Sequence, residues 1–198
     1  LRRNASPALF AAAQLKDWVL QEVNARVLFE NVDFSERFPA EYNTVCQTLG
    51  LTPVRLDAKQ ISGVHRKRLF WATFHIPRLP YQPVDADSML DSADRRVAPK
   101  WRQNGIACLP TCMAAGPRSW NQGDCIEVTD TSGHQYLTSM TPTEYERVMG
   151  FPVGCTAVLD NQGRCLQDED RYKAVGNSMH AGVLKHIMAA ALRDMQLL

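Results

Sequence analysis

The feature that most constrains this chain is the stretch Arg26-Val27-Leu28-Phe29-Glu30-Asn31-Val32. Its short apolar run, bounded by charge before it and by Asp33 after it, predicts a strand buried on both faces, as in the middle of an α/β sheet. Such a strand delivers an acidic and an amide side chain at its carboxyl end, and open α/β sheets bind ligands just outside that end. Glu30 and Asn31 are therefore placed to do chemistry, unless Glu30 is only a polar strand terminus. The rest of the chain has to decide between the two.

The chain has 198 residues, enough for one ordinary domain, and its 45% hydrophobic content supports a core. With 22 basic and 21 acidic residues the formal charge is +1, so no global charge marks a nucleic-acid binder and any such surface must be local. Six cysteines (Cys46, Cys108, Cys112, Cys125, Cys155 and Cys165) form no C-x-x-C pair. That pattern argues against a zinc ribbon and for reduced thiols in an intracellular protein, with no metal site expected. No apolar run approaches a membrane span and no secretory pattern is present, so a soluble protein is expected. The first residue is Leu1 rather than Met, which leaves processing or a fragment open.

Ser6-Pro7 reads as a helix entry, and residues 8–24 place Leu9, Ala12, Ala13, Leu15, Val19, Leu20 and Val23 at helical spacing. After the Glu-Asn strand, Phe38-Pro39 opens a second helix that Gly50 closes. Thr52 to Asp57 predict a strand, and Leu69 to Phe74 predict another, preceded by the basic cluster His65-Arg66-Lys67-Arg68. The first 75 residues thus read as helix, strand, helix, strand, strand. The basic cluster is either a solvated turn or a rigid pair of arginines suited to bidentate recognition of phosphate or carbonyl oxygens.

From Pro77 to Gly105 prolines and acidic residues break the pattern, which predicts a loop-rich insertion rather than more sheet. Within it Arg95, Arg96, Lys100, Trp101 and Arg102 form a basic and aromatic group, either a nucleic-acid contact or a plain surface loop. Residues 125–128 and 136–137 read as strands about a turn at Gly133. Thr141-Pro142-Thr143-Glu144 is a strong helix start, and that helix stops at Gly150-Phe151-Pro152. Gly176-Asn177-Ser178 reads as the amino terminus of an apolar helix from about Ala181 to Leu192. It would expose backbone donors to a ligand or serve as a structural cap.

Taken in order, Phe29-Glu30-Asn31-Val32, Arg66-Lys67-Arg68-Leu69-Phe70-Trp71, residues 143–152 and Ala174-Val175-Gly176-Asn177-Ser178 resemble the second half of the cytosine-5 DNA methyltransferases. The stretch from Leu56 to Trp71 is most similar to the animal de novo enzymes of that family, and the resemblance runs from about Leu9 to Leu192. It implies an α/β, Rossmann-like fold of the S-adenosylmethionine-dependent methyltransferases. The fold would be partial, holding the second half of the sheet and a small target-recognition insertion. Boundaries are expected at 1–76 for the catalytic part, 77–140 for the insertion and return segments, and 141–198 for closing helices.

The resemblance also implies a reaction in which a flipped cytosine is attacked at C6 by a cysteine and methylated at C5 from S-adenosylmethionine. Glu30, Arg66 and Arg68 take the catalytic positions, with Glu30 on the base's N3 and amine and Arg68 on its O2. Asn177 and Ser178 match the motif that closes over the cofactor. Asn31, Arg95, Arg96, Lys100 and Arg102 are the expected substrate contacts, and Gly150-Phe151-Pro152 organises the recognition region. The partner is double-stranded DNA, with transfer RNA a second substrate found in the family. An oligomer with a like or unlike methyltransferase chain is a further expectation. The place is the nucleus in a eukaryote and otherwise the cytoplasm, without a membrane. Two departures stand out: the sequence has neither a Phe-x-Gly-x-Gly cofactor turn nor a Pro-Cys dipeptide. A fragment, a permuted arrangement and a non-catalytic regulatory or DNA-binding relative all remain open at this point.

Overall fold

A computed structural model describes residues 7–23, 25–111, 125–160 and 162–198. The Ser6 cap, residue 24 and Cys112 named above lie outside them. The chain divides into two units, one of residues 1–56, 67–78 and 186–198, the other of residues 57–66 and 79–185.

In the first unit, helix α1 (Pro7–Trp18) runs into a π-helical turn, Val19–Val23. Strand β1 (Leu28–Val32), helix α2 (Pro39–Leu49), strand β2 (Val54–Asp57) and strand β3 (Lys67–Ala72) follow, in the predicted order. The three strands lie in the order β1-β3-β2, with β1 and β3 antiparallel. Leu49, Leu69 and Trp71 form the centre of this unit's core, and Leu9, Ala13, Phe29, Phe34 and Tyr42 pack against it. Phe34 and Trp71 have ring centroids 6.4 Å apart, and the Trp71 indole N–H donates to the Cys46 sulfur at 3.4 Å. The apolar content of β3 thus fixes the sheet, because its alternating side chains insert between the sheet and α2.

Two expectations need correction here. β1 is not a central strand buried on both faces: among the described residues it is the edge of a three-stranded sheet. Leu28 to Glu30 are half-buried, while Asn31 and Val32 are exposed. A strand with one ladder partner loses cover on its free side, so the apolar run marks only partial burial. The helix predicted over 8–24 is an α-helix only to Trp18, where the π turn takes over, and most of its large apolar side chains are not covered. Leu9 and Ala13 still reach the core, whereas Phe10, Leu15, Trp18 and Val23 are exposed.

Helix α2 closes as predicted, with Gly50 at φ 64° donating its N–H to the Cys46 carbonyl. Only glycine takes that left-handed position without steric cost.

The second unit carries strands β4 (Arg95–Val97), β5 (Arg102–Gln103), β6 (Ile106–Ala107), β7 (Ile126–Thr129) and β8 (Gln135–Thr138). β4, β7 and β8 form an antiparallel sheet, so the loop-rich insertion contributes one strand to a separate sheet. β5 and β6 make a two-residue hairpin over Asn104 (φ 51°) and Gly105 (φ 81°), the Asn-Gly turn that suits strand twist.

Helix α3 (Pro142–Val148) begins with the predicted capping box of Thr141 and Glu144. Helix α4 (Asp168–Asn177) opens with three acidic residues on its positive end, and helix α5 (Ala181–Asp194) follows, passing into the first unit from His186. No described helix is long and apolar enough to cross a membrane.

Candidate functional site

Glu30 and Arg68 meet in the first unit. Antiparallel pairing sets Glu30 opposite Phe70 and Val32 opposite Arg68, so the two side chains are diagonal neighbours across adjacent strands. Arg68 Nε donates to Glu30 Oε1 at 2.8 Å, with 15% and 23% of the side chains exposed. Arg68 also donates to the Lys67 carbonyl at 2.8 Å. A carboxylate and a guanidinium are thus fixed on rigid strands with part of their surface open to solvent. Asn31 is exposed and accepts from the Val32 amide through its side-chain oxygen at 2.8 Å. It shapes the strand end next to Glu30.

Arg66 belongs to the second unit and is buried there. Its amide donates to Asp57 Oδ1 at 2.9 Å, and its guanidinium donates to the carbonyls of Gly176, at 3.0 Å, and Ser178. The positive charge is therefore spent on main-chain oxygens at the end of α4.

This changes the reading of Gly176-Asn177-Ser178. The tripeptide ends α4 instead of opening α5, so it presents carbonyl groups and not the expected backbone donors. Ser178 donates its hydroxyl to the Val175 carbonyl at 2.6 Å, while Asn177 is exposed. The opening of α5 is served instead by His180, whose Nδ1 accepts from the Gly182 and Val183 amides at 3.1 and 3.3 Å. Its Nε2 donates to the Val148 carbonyl at 3.2 Å. Burial, with a smaller push from Arg66, takes the His180 pKa down to about 4, so the ring is neutral and both nitrogens are used.

The basic group of the insertion separates by strand alternation. Arg95 makes a bidentate pair with buried Glu144, Nε to Oε1 at 2.6 Å and a terminal nitrogen to Oε2 at 2.8 Å, and reaches the Ser139 carbonyl at 3.1 Å. Arg102 is taken up by Asp87 and by the Val97 carbonyl at 3.3 Å. Arg96 points to the other face of β4 and is exposed, opposite Glu127. Lys100 is also exposed, its ammonium 5.6 Å from the centre of the Trp101 ring. Arg96 and Lys100 are the members of the group with surface to offer.

Of two buried carboxylates on α3, Glu144 does more than close the predicted cap, and Glu146 was not singled out by sequence. Glu144 accepts from Arg95 and from the amides of Asp91 and Thr141. Glu146 accepts from the amides of Gly154 and Thr156, at 2.5 and 3.0 Å, and from Arg171 at 3.1 Å. Burial pushes the Glu146 carboxyl up, but the bonds from Thr156, Gly154 and Arg171 outweigh it and hold it below the usual range. Both carboxylates organise loops. Their roles depend on partners up to 53 positions away, which no local spacing reveals.

No protein-family model matches the sequence, and none of the curated proteins matches it. Solved structures do. The methyltransferase EhMeth of Entamoeba histolytica is similar at 15% identity and a TM-score of 0.59, over 96% of this chain and 70% of that one. The Dnmt2 methyltransferase of S. pombe is similar at 16% identity and a TM-score of 0.61, over 95% of this chain and 72% of that one. A mutant DNMT2 of Spodoptera frugiperda is similar at 13% identity and a TM-score of 0.54, over 90% and 70% of the two chains. Identities this low bear on architecture alone, and the partial α/β, Rossmann-like fold expected from the sequence is the one this chain shares with these structures.

Proposed function

We propose that this chain is the base-holding part of a cytosine-5 DNA methyltransferase, with Glu30 and Arg68 as the pair that grips the flipped base. The carrying observation is their 2.8 Å contact across β1 and β3 in a chain of methyltransferase fold. A cytosine out of the stack presents an acceptor at O2, an acceptor at N3 and a donor at its exocyclic amine. Arg68 donates to O2, and Glu30 accepts from the amine while sharing a proton with N3. Both contacts draw electron density from the ring and favour attack at C6. Anchoring on paired strands keeps the two groups from reorganising as the charge develops. Exposed Asn31, Arg96 and Lys100 are the remaining substrate contacts of this reading, the two cations serving the phosphate backbone of double-stranded DNA.

The methyl donor of such a reaction is S-adenosylmethionine, and the described residues do not by themselves fit its site. The Ser178 hydroxyl is bound to Val175, the Gly176 and Ser178 carbonyls are bound to Arg66, and only the Asn177 side chain stands exposed. The sequence has no Phe-x-Gly-x-Gly turn and no Pro-Cys dipeptide, so no residue here is assigned to the donor's turn or to the attack on C6. The same absence favours a second reading, a DNA-binding or regulatory module that transfers nothing by itself.

Incubation with S-adenosylmethionine labelled in its methyl group, with duplex DNA and transfer RNA in parallel, separates the readings. Label at C5 of DNA cytosine bears out the first. Label only in transfer RNA moves the substrate class, and DNA binding without label leaves the module.

A further inference from the structure

The segment 57–66 builds a second set of reactive groups that the base-holding reading does not use. Asp57 Oδ2 lies 3.3 Å from His65 Nδ1, and Cys108 lines the same cavity as this imidazole. The sulfur also sits 3.9 Å from the Leu109 carbonyl oxygen. The main chain holds these groups together: the His65 amide donates to the Leu109 carbonyl at 2.9 Å, and the Leu109 amide donates to the Gly63 carbonyl at 2.7 Å. Asp57 is fixed in turn by the amides of Arg66 and Lys59, at 2.9 and 3.2 Å. The bonds to Asp57 and Cys108 outweigh burial and push the His65 pKa up to about 9, so the ring is a cation at neutral pH.

His65 and Cys108 open on a cavity of about 170 Å³. That is close to the size of cavities that hold a benzene-sized ligand, about 150 Å³. Lys59 lines it as well, Gln103 and Asn104 supply amides, and no carboxylate is among its lining residues. The cavity is thus lined by one cysteine, by Lys59, by His65 in its pair with Asp57, and by neutral amides.

We propose that this cavity admits one arm of a small anionic disulfide, with which Cys108 forms a mixed disulfide. The Cys108 thiol gives its proton to solvent, its sulfur attacks one sulfur of the reagent, a new S–S bond forms as the old one breaks, and the other arm leaves as a thiolate. The reagent is the oxidant and leaves one arm reduced, while Cys108 is oxidised. The His65 cation stabilises the attacking thiolate, and Lys59 with the amides holds the carboxylate of the bound arm.

Other described cysteines lack this setting. Cys125 is buried, and burial pushes its thiol up to about 11. Cys155 is exposed but carries a raised pKa from partial burial and from Glu146, and Cys165 is exposed.

The native chain is treated with a limiting amount of 5,5′-dithiobis(2-nitrobenzoate), an anionic aromatic disulfide, and the labelled peptides are mapped. Cys108 is expected to react first, ahead of the more exposed Cys155 and Cys165. The His65→Gln variant should slow it by about tenfold. On the wild-type chain, replacing the reagent by neutral bis(2-hydroxyethyl) disulfide should remove most of the preference for Cys108, a comparison that does not depend on any variant folding. Labelling that follows exposure, or a Cys108 preference equal for both reagents, overturns the proposal.

Discussion

The guanidinium of Arg66 donates to the Gly176 carbonyl over 3.0 Å, joining residues 110 positions apart in the sequence. With a second bond to the Ser178 carbonyl it closes the end of α4 onto the segment that carries Asp57 and His65. Removing it leaves two carbonyls without their donor. Arg66→Ala should lower the unfolding free energy by about 2 to 4 kcal/mol, and Arg66→Lys, which keeps the charge but not the fork, by about half as much. Urea titration followed by circular dichroism checks both. A change below about 0.5 kcal/mol in either variant, the range of surface substitutions, would mean that Arg66 is not committed to the fold.

The two histidines of this unit act in opposite directions on pH. His180 has its folded pKa lowered from 6.5 to about 4, so its contribution is present above pH 6.5 and is lost as the pH falls toward 4. The full loss is about 3 kcal/mol at ~1.4 kcal/mol per pH unit. His65 has its folded pKa raised from 6.5 to about 9, so its contribution is present below pH 6.5 and is lost as the pH rises toward 9. Being only half-buried, it should contribute about 1 kcal/mol. Stability curves at pH 4.5, 6.5 and 9 should show His180→Gln flattening the acid side and His65→Gln flattening the alkaline side. A variant that leaves its own limb unchanged contradicts the assignment.

Gly63 has no room for a side chain. A Cβ built there would stand 2.6 Å from the Ala86 Cα and 2.7 Å from its Cβ, and Ala86 is fully buried. Gly63→Ala should therefore destabilise by about 1 to 3 kcal/mol, since backbone must move. The melting temperature measures it, and an unchanged value would mean that these segments are not packed as described.

The cations of the insertion should divide by their partners. Arg96→Ala and Lys100→Ala should each weaken duplex binding and lower the slope of log affinity against log salt by about one, with little change in stability. Arg95→Ala strips buried Glu144 of its bidentate partner and should instead cost about 3 to 5 kcal/mol of stability. Anisotropy titrations at several salt concentrations, alongside melting curves, distinguish the two effects. Equal salt slopes in all three variants would remove this face from the DNA contact.

Local chemistry made much of this fold legible before the structure. Gly50 closed α2 and the Thr141 box opened α3 because a cap depends on residues within one turn. The order of the first five elements followed from hydrophobic periodicity. What failed depended on distant partners. The apolar run at β1 could not show how many strands flank it. Nor could the basic letters of Arg95 and Arg102 show that Glu144 and Asp87 would take them up. Gly176-Asn177-Ser178 fell on the wrong side of a helix boundary, since a polar tripeptide can end one helix as readily as begin the next. One available signal went unread: Asn104-Gly105 is the commonest hairpin turn pair, and it joins β5 to β6. At the site, the nearness of Glu30 to Arg68 came from resemblance, whereas their contact came from strand register.

The most direct test of the account measures whether Glu30 reads cytosine. Fluorescence anisotropy compares a duplex bearing cytosine opposite an abasic site with one bearing thymine there, since an unpaired base costs little to extrude. The account predicts that the wild-type chain prefers the cytosine duplex by about tenfold, within the ~1–3 kcal/mol of a good bidentate base contact. Glu30→Ala should abolish that preference while leaving affinity for the thymine duplex unchanged. Equal binding of the two duplexes by the wild-type chain, or a preference that survives Glu30→Ala, would contradict it.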